Sequence, residues 1–140
     1  MSERYGRTAD EWQELIDATA TFLIERARLR KDTSYTELNT VLVQRTGQKM
    51  FDFSNPADRG AMGHLLGAVV EQTYDEEHPV MLSALVTFLN EKKPGQGFFD
   101  LAMHRGLLPR GASEEEKDAF WYQQMDTAFT IYRRRKRRGI

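Results

Sequence analysis

Positions Trp12, Leu15, Ile16, Thr19, Phe22 and Leu23 recur at helical spacing and predict a first helix from Ala9 to about Arg30. Thr8 and Glu11 have the spacing of a capping box at its start. A second helix is expected after Ser34-Tyr35-Thr36-Glu37, again a capping-box pattern, with Leu38, Val41 and Leu42 as its stripe and Gly47 as a left-handed stop. Gln48 to Ser54 alternates too briefly to define a strand. Asn55 as cap and Pro56 at the first helical position open a third helix, which carries Met62, Leu65, Leu66, Val69 and Val70 to about Thr73.

The second half of the chain changes pattern. Val80 to Leu89 is almost wholly apolar and predicts a buried strand. Asn90-Glu91-Lys92-Lys93-Pro94-Gly95-Gln96-Gly97 is the strongest loop signal. A short helix from Phe98 to Arg105 follows, closed by Gly106 and stopped by Pro109. Ser113 and Glu116 open a last helix with an acidic first turn, and Trp121, Met125, Ala128, Phe129 and Tyr132 form its buried stripe.

Read together, the elements predict an α+β, mostly helical fold: one globular domain over 1–132 and a basic extension over 133–140. Gly60, Gly63 and Gly67 share a face of the third helix, although each costs ~1 kcal/mol against alanine there. Close approach of another element is the favoured explanation, and approach of a nucleic-acid backbone is the functional alternative.

Charge sharpens the picture. Arg133, Arg134, Arg135, Lys136, Arg137 and Arg138 are consecutive, and the rest of the chain holds 14 basic against 21 acidic side chains, a net of −7. A concentrated basic run beside an acidic body suits local attraction to a polyanion, here DNA. Arg26, Arg28, Arg30 and Lys31 are read as tuning the carbonyl end of the first helix. No apolar run is long enough to span a bilayer and the first residues lack a signal-peptide pattern, so no membrane partner and a cytoplasmic location are expected.

Catalytic and metal chemistry find little support. The chain has no cysteine, which removes thiolate chemistry and disulfides. His64, His78 and His104 have no companion in a recognised metal spacing. Asp75-Glu76-Glu77-His78 reads as a solvated loop, and Asp100 with His104, four apart, as a surface pair in the absence of any nucleophile motif. No cofactor, no metal and no enzymatic activity are expected. Lys92 and Lys93 precede a helix start where free amides can hold a phosphate, but the order of lysine and glycine is not that of a P-loop. Phe98, Phe99, Phe120, Trp121 and Tyr122 are read as core rather than as a base-stacking surface.

Over residues 33–109 the chain resembles the winged-helix DNA-binding domain of the alkylguanine-DNA alkyltransferases and alkyltransferase-like proteins. Ser34-Tyr35-Thr36-Glu37-Leu38 is similar to that family's tyrosine-bearing helix start, and Asp58-Arg59-Gly60-Ala61-Met62-Gly63 to its recognition-helix segment. The resemblance implies that Tyr35 helps to rotate a nucleotide and that Arg59 fills the gap in the stack. The family's Pro-Cys-His-Arg or Pro-Trp-His-Arg signature is absent, and Met81-Leu82-Ser83-Ala84-Leu85-Val86 stands in its place. The resemblance therefore implies a DNA-binding shape without alkyl transfer. The sequence leads to a non-enzymatic binder of duplex DNA, with Tyr35, Arg59, Lys92, Lys93 and the run Arg133 to Arg138 as contacts. The alternative is a regulatory module that docks on a protein partner.

Overall fold

A computed structural model describes residues 4–133. In it, α1 (Ala9–Arg28), α2 (Tyr35–Thr46), α3 (Pro56–Thr73), α4 (Gln96–His104) and α5 (Glu114–Ile131) account for most of the chain. β1 (Thr33–Ser34) and β2 (Val86–Thr87) pair in parallel, with Thr33 opposite Val86. The mostly helical α+β expectation holds. Arg134 to Arg138 lie outside the described residues.

Local chemistry sets most helix ends. Thr8 Oγ1 accepts from the Glu11 amide at 3.2 Å while the Thr8 amide donates to Glu11 Oε1 at 2.9 Å, and Ser113 with Glu116 repeats the device. Asn55 caps α3 ahead of Pro56, and Gly47 closes α2 with φ +71°. The box expected at Ser34 is half made: Ser34 Oγ accepts from the Glu37 amide, but the Glu37 carboxylate takes the Thr33 hydroxyl instead. The fourth helix starts at Gln96, two residues before the expected Phe98, with Gly95 as its cap.

The apolar run Val80 to Leu89 is a correction. It contains a 3-10 helix, Leu82–Leu85, and only Val86–Thr87 pairs as strand. Burial holds for the first part of the run, where Val80, Met81, Leu82, Ala84, Leu85 and Val86 are all inaccessible, whereas Phe88 and Leu89 at its end are exposed. The backbone does not need a ladder because α5 side chains satisfy it. Gln124 Oε1 accepts from the Met81 amide at 2.8 Å, and Trp121 Nε1 donates to the Ala84 carbonyl at 2.9 Å. An apolar run gives the same signal for either outcome.

Around this segment lie α1, α3 and α5, which share the main core through residues such as Leu15, Leu23, Leu65 and Val69. A second cluster joins Met81 and Ala84 to Phe98, Phe99, Phe120 and Trp121, so four of the five adjacent aromatics are core as expected. Tyr122 is exposed.

Residues 48–54 form no strand but are held firmly. Asn39 Nδ2 donates to the Phe51 carbonyl at 2.8 Å, and the Phe51 amide donates to Asn39 Oδ1 at 3.0 Å, all of it buried. Arg7 lies over the Phe51 ring at 4.4 Å and donates to the Lys49 carbonyl at 2.7 Å.

Candidate functional site

The sequence-predicted contacts fall into two groups. Tyr35 and Arg59 line one cavity of about 450 Å³, with the Lys92–Lys93 turn at its edge. Arg133 lies in a separate cleft of about 650 Å³ with a mixed polar and apolar lining. The two share no lining residue.

Tyr35 is the first residue of α2, placed there by the Ser34 cap. Its hydroxyl accepts from the Gly95 amide at 3.0 Å, so it ties α2 to the cap of α4. A side chain at residue 95 would meet this hydroxyl at 2.9 Å, so a larger residue there requires Tyr35 to shift. Burial pushes the Tyr35 phenol above its ordinary pKa, with the Gly95 hydrogen bond opposing. Its ring lies 4.8 Å from Phe88 and edge-on to Phe53 at 6.4 Å.

Arg59 stands in the exposed first turns of α3 and donates to the Phe53 carbonyl at 2.8 Å. The Lys92 amide donates to the Phe88 carbonyl, and the Phe88 amide to the Lys93 carbonyl, both at 2.9 Å. These bonds fold the turn back over the aromatic edge of the cavity. Lys92 is exposed with φ +50°, whereas Lys93 Nζ lies 3.8 Å from Asp118.

The glycine face of α3 is explained differently from the sequence expectation. Only Gly60 is approached, by the Tyr5 hydroxyl at 3.4 Å from a side chain's place. At Gly63 and Gly67 a side chain would meet nothing within 4 Å, and both line the cavity. The missing side chains help leave the space open.

In the second cleft Glu25, Arg28 and Leu29, near the end of α1, meet His78, Tyr132 and Arg133, and the Glu25 carboxylate is paired with Arg45 at 2.8 Å. His78 stacks on Tyr132 at 5.3 Å, and its Nδ1 lies 3.0 Å from Asp75 Oδ1. That hydrogen bond, with further ones from the backbone, holds the Asp75 carboxyl below its usual pKa. Burial, then the Asp75 charge, pushes Tyr132 up. Arg30, just past α1, lies 5.3 Å from the Phe129 ring with φ +55°. The basic end of α1 thus adjoins the first residue of the basic run, a grouping that spacing along the chain does not reveal.

The remaining candidates take structural places. Asp75 accepts the Glu77 and His78 amides and closes a turn. Asp100 accepts from Gln96 at 2.9 Å, in place of the expected His104 partner. His64 lies edge-on to Trp12 at 4.8 Å. Burial, assisted by Arg4, lowers its pKa. Among the described residues, no group of three or more acidic or histidine side chains is placed to hold a metal ion, and no helix is long and apolar enough to cross a membrane. No protein family, curated protein or solved structure matches the chain.

Proposed function

We propose that this is a non-enzymatic DNA-binding protein that grips the phosphate backbone of a duplex with its basic run and with the basic end of α1. The carrying observation is the convergence of Arg28 and Arg133 on one cleft, with Arg30 close by on the same end of α1. Arg133 is the first of six consecutive basic residues in the sequence, and its cleft also holds Arg28. Each phosphate neutralised by such a surface releases counterions, so affinity is set by salt.

A second contact lies at the cavity. Arg59 is exposed at the start of α3, where the resemblance to alkyltransferase-type winged helices implies a duplex-facing arginine. In this winged-helix-like docking the Lys92–Lys93 turn takes the place of a wing, and Tyr35 positions it through Gly95. Lys92 and Arg30 both adopt left-handed backbone angles, which cost a side-chain-bearing residue ~1–2 kcal/mol relative to glycine. Keeping long cations at two such positions fits a use for their charge.

That feature supplies the test. Lys92→Gly removes the cation and relieves the backbone, so the variant is expected to melt higher and to bind duplex DNA more weakly, with a shallower salt dependence. The double variant Arg28→Gln/Arg30→Gln is expected to weaken binding further. Unchanged salt dependence in both variants would remove the folded body from the interface and favour a protein partner for it.

A further inference from the structure

The cavity beside Tyr35 has features that contact with a phosphate backbone does not use. Its wall is mainly apolar and includes the rings of Tyr35, Phe53, Phe88 and Phe98. No acidic side chain lines it, and its one charged group, Arg59, already donates to the Phe53 carbonyl. A volume of about 450 Å³ lies in the ordinary range for a small-molecule site. Phe88 and Leu89, at 47% and 63% exposed, border it and are among the largest apolar side chains left in solvent.

Two polar groups border this apolar frame. The Ser83 hydroxyl is buried and has no hydrogen-bond partner in the protein, an arrangement that costs free energy unless a partner arrives. The Tyr35 hydroxyl accepts from Gly95 and keeps its own proton to donate. The opposite wall is bare backbone at Gly63 and Gly67, so a flat group can lie close to α3. Rings favour offset or edge-to-face packing against other rings, and within this wall Tyr35 already lies edge-on to Phe53 and tilted against Phe88.

We propose that this cavity binds a free, uncharged, planar heteroaromatic molecule of one or two rings that carries a ring carbonyl or similar acceptor on one edge. The rings and α3 sandwich its faces, and the Ser83 and Tyr35 hydroxyls read its polar edge. A cationic amine finds no carboxylate, and an aliphatic chain leaves both hydroxyls unused. The proposal does not rest on DNA binding, although Tyr35 and Arg59 line this cavity and also belong to the proposed second DNA contact.

The test uses the full chain and ligand-observed NMR titration with two probes, 4-quinolone and naphthalene. Binding of 4-quinolone is expected to be stronger. Ser83→Ala should reduce it about two- to tenfold, the usual worth of one hydrogen bond. Naphthalene binding should be unaffected by that change. Gly67→Leu, which meets open space and suits a helix, should abolish both while the melting curve shows an intact fold. Three results would overturn the proposal: no binding of either probe, 4-quinolone binding that survives Gly67→Leu, or equal loss of both probes in Ser83→Ala. Recognition of a ring only within a DNA strand would also overturn it and assign the cavity to the DNA contact.

Discussion

Replacing Asn39 by alanine tests the packing that holds both Phe53 and Arg59 in place. Asn39 is 6% exposed and pairs with both backbone polar groups of Phe51, itself 3% exposed. The substitution strands a buried amide and a buried carbonyl, each at about 1–3 kcal/mol. A loss of about 3 kcal/mol is therefore expected. Unfolding entropy near the midpoint is about 0.3 kcal/mol/K for a chain of 140 residues, so Tm should fall by about 10 °C. Urea denaturation measures the loss, with an unchanged slope confirming that the same surface unfolds. Asn39→Asp adds a check: it keeps the acceptor for the Phe51 amide but sets a carboxylate against the Phe51 carbonyl. Its destabilisation should be larger at neutral pH and ease in acid, where the protonated carboxyl can donate. A loss below about 1 kcal/mol for Asn39→Ala would refute the reasoning and mean that residues 48–54 are held by something else.

Three further outcomes follow from the same structure. Thr19, fully buried with an unpartnered hydroxyl, should tolerate Thr19→Val with a gain of about 1 kcal/mol in thermal unfolding and no change in probe binding. Ser113→Ala should cost about 1 kcal/mol by removing the oxygen that accepts from the Glu116 amide at the start of α5. His64 titrates below its ordinary 6.5 in the folded chain because burial, then Arg4, disfavours its charge. The unfolded chain binds this proton first. His64 therefore contributes full stability above about pH 6.5, lost as pH falls toward its folded value. An NMR titration of the His64 ring at or above 6.5 would contradict this.

What the sequence discloses here is mainly what nearby residues decide. The Thr8–Glu11 and Ser113–Glu116 boxes, the Asn55–Pro56 start and the Gly47 stop are all contained within a few positions of chain, and each appears where it was expected. The Val80–Leu89 run hides its conformation because burial depends on neighbours in space. Gln124 and Trp121, some forty residues away, take the backbone bonds that a strand partner would have taken. The Asn39–Phe51 and Arg7–Phe51 contacts are likewise invisible to periodicity.

The candidate site was legible in the same uneven way. Tyr35 and Arg59 line one cavity, and neither periodicity nor spacing along the chain discloses it. Gly63 and Gly67 were the available signal, and their cost in a helix was assigned to packing rather than to open space. The cluster at Arg28 and Arg30 is visible in the sequence, where it reads as helix-end electrostatics. Only the return of α5 beside α1 brings Arg133 to it.

On the function proposed above, the chain binds duplex DNA through phosphate contacts from both the basic run and the folded body. The most direct measurement is fluorescence anisotropy of a labelled duplex across a salt series, for the full chain and for one ending at Tyr132. Binding is expected whose logarithm falls steeply with log salt, with a slope of about −5 or beyond if all six basic positions and the body contribute. The shortened chain should retain weaker, shallower binding. No binding by either chain, or binding indifferent to salt, would contradict it.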